Sequence, residues 1–331
     1  MAENTTYRNL TEKEILLLES KGCSAESWDL IQVVQDFNPQ RLSQVTFIGE
    51  NWLGAFSGTL DIPDGGIVQS GIHNAILDSV CVGNDVYIYK IGARISRYHI
   101  EDRAVIDHVG EMISEPGSTF GNGVKVKAIN ENGGRTVEIH EQLNSHGAYL
   151  QAAFRHRRSL VEQLQHMARS QAASRSSQPG RVGAGCIIRH TKIIRNVNFG
   201  AACIVDGASA LINGTILSST DMPTRIGVNV FARNVIIQEG AVIGYASCLE
   251  NSFIGQAVKI EKLFSAIDSL AFAGSEFGHG EIASVFAGPF SVSHHKGTLL
   301  IACALSFFNA GSGTNQSNHM YKLGPNSQGM M

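Results

Sequence analysis

Charge is scarce in this chain: Asp, Glu, Lys and Arg make up 17% of its 331 residues, against roughly 25% in ordinary soluble domains. The formal net charge is only −3, so no bulk field draws the chain to nucleic acid or anionic lipid, and neither partner is expected. Proline is scarce too, at 7 residues, and the six cysteines at positions 23, 81, 186, 203, 248 and 303 contain no CxxC pair. That spacing argues against metal fingers and a disulfide framework and for reduced, buried thiols. The longest apolar run, residues 298–308, is about half of the roughly 20 residues that a membrane-spanning helix requires. The first residues carry neither a basic region nor an apolar core, so the expectation is a cytoplasmic protein without a secretory signal.

Several catalytic signatures are missing as well. There is no GxxxxGK[ST] and no strand-borne GxGxxG, which speaks against a phosphate-cradling glycine loop. HExxH and GxSxG are also absent, leaving zinc-protease and serine-hydrolase chemistry without support.

Glycine is abundant, 35 of 331 residues or nearly 11%, where about 7% is usual. Glycine without proline indicates many tight corners rather than disorder. The corners fall in a repeat. Val82, Ile88, Ile100 and Ile106 keep a six-residue phase that starts at Ile76 and returns at Val182, Ile188 and Ile194. It slips by one, resumes at Phe199, Val205, Leu211 and Leu217, and appears again at Ile226, Ile237, Ile243, Leu249, Ile254 and Ile260. Four places after each aliphatic stands a small residue, such as Ala104, Cys186, Cys203 or Ala241, with Lys192, Asn198 and Phe253 breaking the rule. A period of six is neither helical nor that of a simple strand. It fits short strands joined by corners, stacked as parallel coils around an aliphatic column.

These residues, above all Asn84-Asp85-Val86-Tyr87-Ile88 and the run from Asn251 to Ile260, resemble the hexapeptide-repeat transferase superfamily. The resemblance covers roughly residues 62–126 and 180–285, and is close to an uncharacterised Bacteroides-type subgroup with an inserted helical arm. It implies a mainly β fold, a left-handed parallel β-helix, with an N-terminal helical cap and a helical arm. Four regions are expected: a cap over residues 1–60, a first β-helix block over 61–130, an arm and linker over 131–180, and a second block over 181–331 with an irregular end. Thr11 and Glu14 read as a capping box and Gly22 as the stop of the first helix. Residues 137–174 carry an apolar stripe at helical spacing, and the repeat fades after about residue 262.

The resemblance also implies acyl transfer from acyl-CoA or an acyl carrier to a hydroxyl or amine, such as a sugar or sugar nucleotide. A loop histidine serves as general base, and subunits commonly form trimers with active sites between them. A homotrimer is therefore expected. Histidine suits the task because its ordinary pKa lies near neutrality. The late loops select His294, His295 and His319 as catalytic candidates over His190, which lies inside a regular hexad. Asn315, Ser317 and Asn318 beside His319 are candidates for substrate binding. No resident metal is expected. Two alternatives stand beside this reading. One is a non-catalytic binding or scaffold β-helix. The other is a metal site like that of the γ-class carbonic anhydrases, for which His99 and His108 are nine residues apart. The basic run from Arg155 to Arg158 reads as a solvated helix face or as a patch for phosphate or an acidic partner. An enzyme site would gather polar residues in a cleft around a histidine; a scaffold would leave its histidines scattered.

Overall fold

The computed structural model describes residues 6–63, 65–176 and 178–317. Within them the protein is mainly β, with 31 strands in one large sheet and three α-helices: α1 (Glu12–Ser20), α2 (Ser145–Ala153) and α3 (Arg158–Arg175). Apart from Tyr7–Asn9, which runs antiparallel to Ile31–Val34, the pairings of that sheet are parallel. Val242 pairs with Lys259 and Lys259 with Glu276, so the chain returns in register 17 residues later.

Seventeen is three sixes less one, which accounts for the slips in the repeat. The regular circuits take two steps of six and one of five between inward residues, whereas Ile72 to Ile88, Ile88 to Ile106 and Val205 to Ile226 take 16, 18 and 21 residues. The five-residue step moves two of the expected core positions. Leu77 is fully buried where Ile76 was expected, and Ile76 is 36% exposed. Likewise Ile216, 1% exposed, takes the inward place expected for Leu217. Elsewhere the aliphatic column runs as read. Ile88, Ile106, Ile188, Val205, Ile226, Ile243, Ile260 and Phe277 face one another in successive parallel pairs, and all are buried.

Corners turn through left-handed backbone. Asn196, Asn213, Asn234, Asn251 and Asp268 occupy equivalent places with φ between 47° and 56°, a region asparagine and aspartate tolerate better than most residues. The asparagines also bond one another along the stack. Asn213 Nδ2 donates to Asn234 Oδ1 at 2.8 Å, and Asn234 Nδ2 donates to Asn251 Oδ1 at 2.9 Å.

The N-terminal region is less helical than expected. The capping box of Thr11 and Glu14 is formed, and Gly22, at φ 76°, follows the end of α1. Beyond it, however, Ile31–Val34, Leu42–Ile48 and Asn51–Leu53 are strands; the last two pair parallel with Gly71–Asp78 and Cys81–Val82. The stacking therefore begins well before residue 61. It also continues past residue 262, through Phe264–Ile267, Gly280–Ala283, Gly297–Leu300 and Asn315–Ser317. Those late circuits use Ser and Phe where earlier ones use Ile and Val. Ser291 N donates to Ser275 Oγ at 3.1 Å inside the stack, which hides the aliphatic rhythm.

The arm leaves after Ile113 and the stack resumes at Gly180, so that Met112 pairs with Ile194 across the insertion. It opens on an antiparallel pair, Lys125–Val126 with Val137–Glu138, so the expected helical stretch from residue 137 begins as strand. Its apolar residues, among them Val126, Ile139, Leu143 and Ala148, bury an outward ladder on the stack formed by Ile236, Phe253, Leu270, Phe286 and Cys303. These five are successive partners in register. Phe253 breaks the small-residue rule because it points outward, beneath the arm.

Candidate active site

The first circuits hold a polar cleft of about 420 Å³ beside the N-terminal strand Tyr7–Asn9. Cys81, His99 and Arg181 stand side by side on three adjacent parallel strands. With Ile100 pointing into the core, His99 takes the outward position. Cys81 and His99 line the cleft together with Tyr7, Asn84, Glu101 and Asp102.

Each carboxylate is held. Glu101 Oε1 accepts from Arg181 Nε at 2.6 Å and Oε2 from the Ala184 backbone N–H at 3.0 Å. Asp102 Oδ1 accepts from the Asn84 backbone N–H at 2.7 Å, and Asn84 Oδ1 accepts in turn from the Ala55 N–H at 2.9 Å. Glycine is needed at position 83, where a Cβ would lie 2.5 Å from Asp102 Oδ1.

Burial pushes the pKa of His99 down from its ordinary value, partly offset by the charges of Glu101 and Asp102. Its imidazole is therefore neutral at pH 7 and free to accept a proton. Although partial burial disfavours its charged form, Glu101 stays below the usual carboxylate range because Arg181 bonds and faces it. Tyr7 is pushed up to about 12, by burial first and by neighbouring Cys81 and Asp102. Burial also raises the Cys81 thiol. The cleft thus offers a neutral base, a protonated phenol and fixed carboxylates, and its cysteine is a thiol rather than a thiolate.

His294 and His295 lie toward the other end of the stack. His294 follows the strand Val292–Ser293, with its side chain 55% exposed and Nδ1 3.8 Å from Glu276 Oε1. His295 is exposed, as is Asn315 on the strand Asn315–Ser317. Ser317 closes that strand; Asn318 and His319 lie outside the described residues. Of these, the described residues His294, His295, Asn315 and Ser317 do not line the cleft. His99 and His108 are not brought together: His99 lines the cleft, whereas His108 bonds Asp107 at 2.6 Å and packs on Tyr89 and His190. Among the described residues no three His, Cys, Asp or Glu side chains are grouped as metal ligands.

Cys186 and Cys203 are core residues, as their small-slot positions imply; burial lifts the Cys186 thiol to about 12 and that of Cys203 well above its ordinary value. Cys81 differs, because it forms part of the cleft wall. Tyr7, Glu101 and Asp102 had no sequence signal of their own, since Tyr7 reaches the cleft only through an antiparallel pairing with Val34. His99 had one: a polar outward residue two places before a pair of acids.

The structure thus defines a mainly β protein whose parallel stack carries a histidine-bearing polar cleft at one end. The family described as a domain of unknown function, DUF4954, matches residues 7–331, and the chain belongs to it. An uncharacterized protein of Treponema pallidum (strain Nichols) is 27% identical over 327 residues, which is 95% of this chain and 45% of that protein. The chain therefore spans less than half the length of the curated relative it matches.

Proposed function

We propose that the stack is a left-handed parallel β-helix of the hexapeptide-repeat kind, and that it transfers an acyl group from acyl-CoA or an acyl carrier to a hydroxyl or amine. The observation that carries this reading is the convergence of His99, Tyr7, Asn84, Glu101 and Asp102 on one cavity. His294 and His295 are exposed instead, with Glu276 beside His294. His99 becomes the general base in place of His294, His295 or His319. In the reaction, His99 takes the acceptor's proton as its oxygen or nitrogen attacks the thioester carbonyl. The carbon–sulfur bond breaks, and the departing thiolate is protonated by the imidazolium. The Tyr7 hydroxyl, protonated at neutral pH, donates to developing negative charge. A homotrimer in the cytoplasm, with a neighbouring subunit completing the cleft, belongs to the same proposal. In the structure no helix of the described residues is long and apolar enough to cross a membrane.

A binding or scaffold role is the second reading. The observation favouring it is that no Lys or Arg is among the described residues lining the cavity, where the phosphates of a coenzyme would need them.

The test is a thermal-shift and turnover screen with acetyl-CoA and longer acyl-CoA esters against sugar and amine acceptors. Donor at 100 times its dissociation constant raises stability by about 2.7 kcal/mol. His99→Gln is expected to lower turnover by about 10² to 10⁴ with donor binding retained. If turnover survives in His99→Gln, the base is elsewhere; if no ester binds at millimolar concentration, the scaffold reading replaces this one.

A further inference from the structure

A second concave surface lies at the other end of the stack, between α2 and the late circuits. It is a groove of about 390 Å³ walled by Tyr149, Leu150, Phe154, Phe286, Pro289 and Leu305. Ser145, His146 and Ser306 complete the lining, most of which is apolar, and the aromatic rings are locked edge to face: Tyr149 meets Phe154 at 5.9 Å and Phe286 at 6.1 Å between centroids.

Two features surround it. The apolar surface runs on beyond the groove through Leu305, 43% exposed, and through Phe290 and Phe307, which stack at 5.0 Å while 49% and 79% exposed. Contiguous exposed apolar surface of this kind marks an interaction site more often than isolated side chains do. At the α2 end, Arg155, His156, Arg157 and Arg158 follow Phe154 directly, all exposed. His156 packs on the Phe154 ring at 5.7 Å, which holds the basic segment at the rim. No acid occurs from residue 142 to residue 161, and no ion pair joins these arginines to an acid among the described residues.

We propose that this groove binds an acidic peptide segment of a partner protein, anchored by bulky apolar side chains. Charge complementarity argues for it. Three exposed arginines in the segment that follows the wall residue Phe154 suit carboxylates, and a concave aromatic trough suits an apolar anchor. The extent of the surface favours a peptide over a small amphiphile, which would fill the trough and leave Phe290 and Phe307 in water. Concavity favours it over a membrane, which calls for a protruding apolar face. The surface is separate from the polar cleft, and the inference stands whether or not that cleft transfers acyl groups.

Fluorescence anisotropy tests it with a labelled peptide carrying a Phe-Leu-Phe anchor between runs of Asp. Binding is expected to weaken at least about tenfold as salt rises from low to physiological ionic strength. Arg157→Glu with Arg158→Glu should weaken it by a similar factor, and Leu305→Asp should abolish it while the melting temperature holds. A peptide with Lys in place of Asp, or with Ser-Gly-Ser as anchor, should bind far more weakly. Equal binding of the Lys peptide overturns the proposal, as does absence of Asp-peptide binding at millimolar concentration. So does binding of phosphatidylglycerol vesicles or decyl phosphate that the Asp peptide cannot displace. Self-association lost in Leu305→Asp, with no peptide bound, would assign the surface to a second copy instead and equally overturn it.

Discussion

Arg169 on α3 grips the carboxylate of Glu138 with two nitrogens, at 2.6 and 2.9 Å, and Glu138 is buried although the arginine is largely exposed. The Glu138 backbone N–H donates to Gln151 Oε1 of α2 at 3.1 Å, so one acid ties the arm's strand pair to both of its long helices. Removing the arginine strands a buried carboxylate. Arg169→Ala is therefore expected to loosen the arm selectively. Hydrogen exchange should rise across residues 125–175 well before it rises in the stack. Uniform acceleration over the whole chain would show that the arm and stack open together.

The two apolar layers should differ in what they hold. Ile243→Ala cuts the inner column and is expected to cost about 2 to 5 kcal/mol. Phe253→Ala empties the seat beneath the arm, at about 3 to 5 kcal/mol. In urea titrations the first variant should melt in one transition. The second should show arm signals departing early. If Phe253→Ala shifts every signal equally, the outer layer is part of the same cooperative unit.

At the corners, Asn234 has both a left-handed backbone and two side-chain bonds. Asn234→Gly keeps the backbone easy and removes the bonds, each contributing about 1 kcal/mol. Asn234→Ala adds roughly 1 to 2 kcal/mol of left-handed strain. Alanine should thus be the worse substitution, an order opposite to that in helices, and chemical denaturation of the two variants decides it.

Acid should weaken the fold in two stages. His73, His99 and His140 all have pKa values lowered by burial. The unfolded chain therefore binds protons first, and the stability tied to these neutral rings is complete above about pH 6.5 and falls as pH drops below it. Glu14, held at about 2 chiefly by its bond from Arg8 against a reference of 4.5, keeps its contribution until pH falls below 4.5 and loses it towards 2. Melting temperatures measured from pH 7.5 down to 3 should show both declines. His140→Gln should flatten the upper one, and a profile unchanged in that variant would remove His140 from the account.

Much of the fold could be read from the chain because a column of inward aliphatics must repeat with the coil. Ile188, Val205 and Ile243 announce themselves by spacing alone. The five-residue step was harder to see, since it leaves one apolar residue beside another, as at Ile76 and Leu77 or Ile216 and Leu217. The late circuits were hidden by Ser275 and Ser291, whose hydroxyls both donate to the Gly288 carbonyl while Ser275 Oγ accepts from the Ser291 N–H, and so replace methyls in the small slots. The cleft was legible only in part. Its members come from residues 7 to 184, joined by strand pairing rather than proximity in sequence, and the choice of late histidines followed the lapse of a repeat that in fact continues.

The arm lies on circuits made long after it. Leu143 and Ala148 pack against Phe253, Leu270, Phe286 and Cys303, so a ribosome must add well over 100 further residues before the arm's apolar face has its whole seat. At 5 to 20 residues per second, that interval is on the order of ten seconds. Throughout it the arm's apolar face is without its full cover, and exposed apolar surface of that kind favours aggregation during synthesis.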